Sequence, residues 1–178
     1  MADITRNAGV AITGKDVLLI GAGGAAAGVL GPLLEQQPRS ITICNRTFAK
    51  AQTLVEQHAP LAAQQKVELL AQELQALEGD FDIVINATAA SLQGAGIPVT
   101  ARVLRPGCLA YDMMYGAAAT PFLAWAQAHG ATGRDGLGML VEQAAESFAL
   151  WRGVRPPSQQ VLEELREVIA QETKACTR

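Results

Sequence analysis

The sequence has few of the features that mark membrane, secreted or nucleic-acid-binding proteins. Its 14 lysines and arginines form no basic tract and the net charge is −3, which argues against nucleic acid as the main partner. Its apolar stretches are interrupted by glycine, proline or charge well before the roughly 20 residues that a membrane span needs. The N-terminal sequence MADITRNAG has no apolar core and does not read as a signal peptide.

Cysteine and histidine are also scarce. The three cysteines, Cys44, Cys108 and Cys176, have no CxxC spacing and are odd in number, which favours reduced thiols in a cytoplasmic protein. The two histidines, His58 and His129, lie far apart near the ends of predicted helices, so we expect no metal site.

The length and composition are sufficient for one globular domain over residues 1–178, since 49% of the residues are hydrophobic and 17% are charged. Apolar runs predict strands at 17–20, 41–44, 66–69, 81–86, 109–112 and, briefly, 131–132. Helical patterns cover 25–36, 48–58, 72–77, 120–130, 138–152 and 158–173, and 91–98 reads as a loop. This alternation predicts an α/β fold, a Rossmann-type doubly wound parallel sheet with helices on both faces. Ligands of such sheets bind beyond the carboxyl ends of the strands.

A glycine-rich turn follows the first predicted strand. Its sequence GAGGAA fits G-x-G-x-x-G/A and lies between a strand and a helix, as that motif requires. Gly21 would permit the tight turn, and Gly23 would let a diphosphate approach the helix N-terminus. Packing alone can also explain such a turn, but this context favours nucleotide binding. The predicted diphosphate site comprises Gly21, Ala22, Gly23, Gly24 and Ala25.

No carboxylate stands at the end of the second strand. Asp or Glu there would bind the ribose hydroxyls of NAD and repel a 2′-phosphate, but this chain has Asn45. Arg46, Thr47 and Lys50 offer two cations, a hydroxyl and a helix N-terminus around one point. A capped helix with two solvated basic residues is the simpler alternative. After the glycine turn, the pattern favours the 2′-phosphate of NADP.

Two further strand ends carry candidate site residues. Asn86, Ala87 and Thr88 end the fourth strand, where small residues leave room for a dinucleotide. The fifth strand ends in DMMY, which as a bare pattern is a turn cap. As part of a site, Met113 would pack near the nicotinamide and Tyr115 would offer its hydroxyl to a substrate.

One predicted helix carries both an apolar stripe and a candidate polar contact. Leu140, Ala144, Phe148 and Trp151 recur at helical spacing, which predicts a core-facing stripe. Gln143 lies beside this stripe, where it either makes a structural hydrogen bond or contacts a substrate.

No proton-transfer pair is evident in the sequence. Neither Tyr111 nor Tyr115 has a lysine four residues later, and no Ser–His–Asp set occurs. Reduction of a ketone needs a proton donor. We therefore expect no catalytic residue in this chain.

Together, five segments resemble shikimate dehydrogenase, an NADP-dependent family of aromatic amino-acid biosynthesis. They are VLLIGAGGAAAGVLGPLL, ICNRT, FDIVINAT, YDMMYGAAATPFLAWA and DGLGMLVEQAAESFALWRG. The resemblance implies that the glycine turn binds the diphosphate of NADP and that the Asn45–Thr47 segment with Lys50 clamps the 2′-phosphate. It also implies that Met113 and Gly136 border the nicotinamide.

The resemblance further implies that Tyr115 and Gln143 touch shikimate. Two departures from the family pattern bear on cofactor affinity. Many members carry Arg or Lys where Ala27 stands here, and serine commonly replaces Ala89.

The family also has an N-terminal domain with a catalytic lysine and aspartate, and nothing here resembles it. Residues 1–14 look like the end of a connecting helix, and 154–178 would hold the C-terminal helix. We therefore expect the cofactor domain of an enzyme that converts 3-dehydroshikimate and NADPH to shikimate and NADP, inactive alone. We also expect self-association through the face that carries Tyr115 and Gln143. A non-catalytic NADP-binding module and a quinate-active variant are the alternatives.

Overall fold

The computed structural model describes residues 1–89 and 96–176, so most of the predicted loop 91–98 lies outside the described residues. Within the described part, six strands form: β1 (Asp16–Ile20), β2 (Ser40–Asn45), β3 (Glu68–Glu73), β4 (Phe81–Asn86), β5 (Leu104–Asp112) and β6 (Thr132–Arg134). The α-helices of the same part are α1 (Gly24–Leu34), α2 (Phe48–Gln65), α3 (Thr120–Ala128), α4 (Leu137–Arg152) and α5 (Ser158–Cys176). No described helix is both long and apolar enough to cross a membrane.

The six strands form one parallel sheet in the order β3-β2-β1-β4-β5-β6. The strand order reverses between β1 and β4, which is the Rossmann arrangement. The predicted fold class is confirmed. The switch point brings the carboxyl ends of β1 and β4 side by side, where ligands of such sheets bind.

Alternation along the central strands builds a core on each face of the sheet. Val17 and Leu19 of β1 pack with α1 and α2, whereas Leu18 and Ile20 pack on the other face with Phe122 of α3. All five residues of β1 are buried, and the four after Asp16 are apolar, as a parallel strand covered on both faces requires.

Several predicted boundaries were wrong. The helix predicted to end at 58 runs to Gln65 as α2; it contains Pro60, and Ala62 in the added part is buried in the core. The helix predicted at 72–77 is instead the end of β3, which pairs with β2 as far as Glu73. Only one 3₁₀ turn follows it. β5 begins at Leu104, five residues earlier than predicted.

The segment before β1 packs against the sheet and helix α4. Ile4 and Ile12 are buried, and the buried carboxylate of Asp3 accepts hydrogen bonds from the Tyr111 hydroxyl at 2.7 Å and from Arg134 Nη2 at 2.6 Å. Arg6 pairs with the buried Glu142 of α4 at 3.1 Å. The segment is therefore anchored at two carboxylates, while its origin as the end of a connecting helix stays a prediction.

The apolar stripe predicted to face the core on α4 is exposed, so that prediction was wrong. Trp151 is 78% exposed, Phe148 44% and Leu140 43%. A neighbouring stripe of Leu137, Val141 and Ala145 is buried instead, where Leu137 and Val141 cluster with Leu162 of α5.

Residues of this exposed stripe, together with residues of α5, line an apolar groove of about 310 Å³. We call its apolar lining the α4–α5 surface; it consists of Leu140, Val141, Ala144, Ala145, Phe148, Pro156, Val161 and Leu165.

Candidate functional site

The glycine turn after β1 packs tightly against the end of β4. Gly21 has φ +110°, and a Cβ there would lie 3.1 Å from both the Ala87 carbonyl oxygen and Thr88 Cγ2. The Ala87 N–H donates to the Ile20 carbonyl at 2.8 Å. Only glycine fits this position without strain.

The next two glycines are open to solvent, in contrast to Gly21. A Cβ at Gly23 or Gly24 would meet nothing within 4 Å. Gly23 precedes α1 as its N-cap, no side chain caps the helix, and its first turn holds no acidic residue. The exposed Ala25 continues this turn. The N–H groups of α1 are therefore accessible to an anion, as a diphosphate site requires.

The end of β2 presents two cations beside a second uncapped helix. Asn45 Nδ2 donates to the Thr47 carbonyl at 2.9 Å and so shapes the turn. Thr47 occupies the N-cap position of α2, but its side chain makes no capping bond, unlike in the simpler alternative of a capped helix. Arg46 and Lys50 are exposed, and neither joins an ion pair in the described part of the chain.

An open groove of about 380 Å³ runs between α1 and α2 and joins the glycine turn to Lys50. It brings together the predicted diphosphate and 2′-phosphate residues, although Arg46 and Thr47 do not line it. Its lining residues are Ala22, Gly23, Gly24, Ala27, Ala49, Lys50, Thr53, Leu54 and Gln57. Sequence reasoning missed Thr53 and Gln57, which helical spacing from Lys50 could have indicated.

A larger cavity of about 490 Å³ lies toward the amino ends of the strands. Its charged lining is already neutralised, because Lys15 pairs with Asp82 at 3.7 Å and Arg134 pairs with Asp3. The groove at the carboxyl ends is lined by Lys50, which joins no ion pair in the described part of the chain, and is therefore the better candidate for an anionic ligand.

Two side chains join the ends of β4 and β5. Asn86 Nδ2 donates to Asp112 Oδ2 at 3.1 Å, and its Oδ1 accepts from the Thr88 N–H at 3.1 Å. Asn86 is 3% exposed, so its amide supports the strand ends rather than facing a ligand. Ala87 and Thr88 are half-buried next to Gly21.

Asp112 is a residue that sequence reasoning missed. It is fully buried, and that burial raises the pKa of its carboxyl. The signal was available, since Asp112 ends an apolar strand just as Asn86 ends its neighbour in the predicted sheet.

The predicted nicotinamide residues Met113 and Gly136 lie against each other. A Cβ at Gly136 would overlap the Met113 carbonyl oxygen, and the Gly136 N–H donates to the Met114 carbonyl at 2.8 Å. Gly136 is therefore required for the ends of β5 and β6 to approach. The contact does not test where a nicotinamide would bind, so that position stays a prediction.

The two predicted substrate residues, Tyr115 and Gln143, are both exposed. Gln143 makes no side-chain hydrogen bond in the described part of the chain, which removes the structural role considered for it. Their contact with substrate stays a prediction. Within the described residues, no group of three or more His, Cys, Asp or Glu side chains could hold a metal ion.

Comparison with known protein families gives two matches. The family described as Shikimate / quinate 5-dehydrogenase matches residues 3–95, and the Shikimate 5′-dehydrogenase C-terminal domain matches residues 136–166. The chain is 71% identical over 170 residues to Shikimate dehydrogenase (NADP(+)) of Acidovorax ebreus (strain TPSY), a match that covers 96% of this chain and 60% of that protein.

Solved structures show the same relationship. An Ael1 enzyme from Pseudomonas putida is 45% identical, with a TM-score of 0.81 over 92% of this chain and 59% of that one. A shikimate dehydrogenase in complex with NADP+ is 30% identical, with a TM-score of 0.75 over 89% of this chain and 56% of that one. The chain spans about 60% of the length of the curated relatives that it matches. On the strength of these matches, the chain belongs to the shikimate dehydrogenase family.

Proposed function

We propose that this chain is the NADP-binding part of a shikimate dehydrogenase, in which hydride passes between NADPH and 3-dehydroshikimate to give shikimate and NADP+. The observation that carries the proposal is the groove between α1 and α2. It joins the open N-terminus of α1 to Lys50, with Arg46 nearby on the same turn. The relative from Acidovorax ebreus is named as NADP(+)-dependent, which supports the choice of cofactor.

In this proposal the two ends of the groove hold the two anionic groups of NADP. The diphosphate lies over Gly23 and Gly24, where no side chain intervenes. The 2′-phosphate lies at Arg46, Thr47 and Lys50. Charge-assisted hydrogen bonds to a phosphate are worth about 1.5–3 kcal/mol each. Arg46 and Lys50 should therefore make the affinity for NADP higher than that for NAD.

We further propose that the chain alone does not oxidise shikimate. Asp112, which directly precedes the predicted nicotinamide residue Met113, is buried and already accepts two hydrogen bonds. Tyr115 and Gln143 would form one wall of a substrate pocket. A positioned acid or base typically contributes on the order of 10²–10⁴-fold in rate. We propose that this group lies in the part of the relatives that the present chain does not cover.

Cofactor titration tests the first part of the proposal. We expect the wild type to bind NADP+ more tightly than NAD+, and an Arg46→Ala, Lys50→Ala double variant to lose about tenfold or more in NADP+ affinity. Arg102→Ala is the matched control, since it removes an exposed cation just before the amino end of β5. Equal NADP+ affinity in the double variant and the control would contradict the 2′-phosphate site.

A turnover assay tests the second part. NADPH formation from shikimate and NADP+ should be absent with this chain and should appear when the additional region of the Acidovorax ebreus relative is fused to it. Turnover by the chain alone would show that its own residues include the catalytic group. A fusion that stays inactive with both shikimate and quinate would favour a non-catalytic NADP-binding module.

We also propose that the chain self-associates. The sequence predicts this through the face that carries Tyr115 and Gln143, but the described structure also exposes apolar side chains on the α4–α5 surface, and we propose that a second copy covers that surface instead. Phe148 and Leu165 on that surface are 44% and 36% exposed, and they lie with other apolar side chains in one groove, the kind of contiguous apolar patch that marks an interaction site. We place the protein in the cytoplasm, because Cys44 and Cys108 are buried free thiols. Neither proposal includes a nucleic-acid or membrane partner.

A further inference from the structure

A chain of hydrogen bonds crosses from β4 to β5 and begins and ends at backbone N–H groups. The Thr88 N–H donates to Asn86 Oδ1, and Asn86 Nδ2 donates to Asp112 Oδ2. Asp112 Oδ1 then accepts from the Met114 N–H at 2.9 Å. Both side chains are buried, Asn86 at 3% and Asp112 at 0% exposure.

The Thr88 hydroxyl also donates to Asn86 Oδ1, at 2.7 Å. A hydroxyl can donate or accept, so the direction of these bonds is fixed by the two terminal backbone N–H groups, which can only donate. The two side chains between them must present an acceptor at each end and one donor in the middle. An amide and a carboxylate meet that requirement, whereas two amides do not. In an Asp112→Asn variant, one N–H group must face another N–H group at some point along this series of hydrogen bonds. A donor left unsatisfied in this way is costly when it is buried.

The linked segments extend beyond these two strands. Met114, fixed by Asp112, accepts from the Gly136 N–H at the end of β6. At the other end, Ala87 contacts the glycine turn at Gly21. The ends of β1, β4, β5 and β6 are thus connected side to side. Asp112 stands in the middle of this connection, and it joins no ion pair in the part of the chain that the structure describes.

We propose that Asp112 is a positioning residue that sets the affinity for the nicotinamide half of the dinucleotide by holding the ends of β4 and β5 in place. The inference rests on the proposed NADP site. Asp112 is too deeply buried to touch the cofactor, so it acts through Ala87, Thr88 and Met113. The adenosine half lies at Arg46 and Lys50 and depends on α1 and α2 instead.

Calorimetric titration separates the two halves. NADP+ probes the whole site, and 2′,5′-ADP probes only the adenosine half. For Asp112→Asn we expect NADP+ to bind about tenfold more weakly, while the affinity for 2′,5′-ADP changes by less than about twofold. The double variant Asn86→Asp, Asp112→Asn exchanges amide and carboxylate and restores a complete set of donors and acceptors. It should regain most of the lost NADP+ affinity.

A pH profile adds a readout that a purely structural role would not change. In the single variant Asn86→Asp, two carboxylates meet, and one shared proton can supply the missing donor. Its NADP+ affinity, measured relative to that for 2′,5′-ADP, should therefore recover as the pH falls. Asp112→Asn, which lacks an acceptor for such a proton, should show no recovery.

The outcomes distinguish this inference from the proposed function. A wild type that binds neither ligand would overturn both. If the wild type binds both ligands and Asp112→Asn retains its NADP+ affinity, the inference is wrong and the NADP site stands. Equal losses for both ligands with a lower Tm would assign Asp112 to general stability, and failure of the double variant to rescue binding would overturn the polarity argument.

Discussion

Three glycines of the same turn and helix should respond differently to a single methyl group. In Gly21→Ala, the new Cβ lies 3.1 Å from the Ala87 oxygen on a residue with φ +110°. Such backbone strain costs about 1–3 kcal/mol, which in a chain of this size lowers Tm by roughly 2–4 °C per kcal/mol. In Gly23→Ala, the methyl enters open space, so the fold should remain nearly as stable as the wild type.

For cofactor affinity, we expect Gly23→Ala to have the large effect. The methyl of Gly23→Ala occupies the place where the diphosphate would approach α1. Losing one or two charge-assisted contacts would weaken NADP+ binding by about 10- to 100-fold. Gly28→Ala is the control, because it is exposed within α1 and meets nothing within 4 Å. It should stabilise the chain by about 0.5–1 kcal/mol and leave binding unchanged.

Thermal unfolding and NADP+ titration of the three variants provide the assay. A Gly23→Ala protein that binds NADP+ like the wild type would refute the placement of the diphosphate over this turn. A Gly21→Ala protein with unchanged Tm would refute the close packing between the turn and the end of β4.

Two other features lead to predictions about acid stability and association. The hydrogen bond from the guanidinium of Arg39 lowers the pKa of Asp16 from 3.8 to about 2, so the stabilisation is nearly complete above pH ~4 and is lost as the pH falls through about 2. Asp16→Asn should therefore cost about 1–2 kcal/mol at neutral pH and only a small fraction of that near pH 2, and a pH-independent difference in unfolding free energy would contradict this. Sedimentation at several concentrations should show self-association that a Phe148→Ser, Leu165→Ser variant reduces and the exposed control Leu150→Ser does not; a wild-type monomer throughout would exclude the α4–α5 interface.

The central strands and the glycine turn could be predicted because local sequence determines them. The continuous apolar run of β1 is buried on both faces, and the turn after it follows a known motif. β3 was harder, since it lies at the sheet edge and its sequence ELLAQE is only partly buried. Its pairing with β2, rather than its own composition, extends it to Glu73.

The misassigned stripe on α4 has a different cause. Helical spacing identifies which side chains share a face, but it does not say which neighbour covers that face. Both the stripe through Phe148 and the one through Val141 are apolar, and only the position of α5 decides between them. Asp112 was missed for a related reason, because its role depends on Asn86 of an adjacent strand 26 residues away.

The anchoring of the N-terminal segment has a consequence for synthesis on the ribosome. The contact from Arg134 to Asp3 spans 131 residues, and the contact from Arg6 to Glu142 spans 136. Residues 3–7 therefore leave the ribosome well before Arg134 and Glu142 have been synthesised. Contacts between such distant residues form slowly. The docking of this segment onto β6 and α4 should therefore be among the last steps of folding.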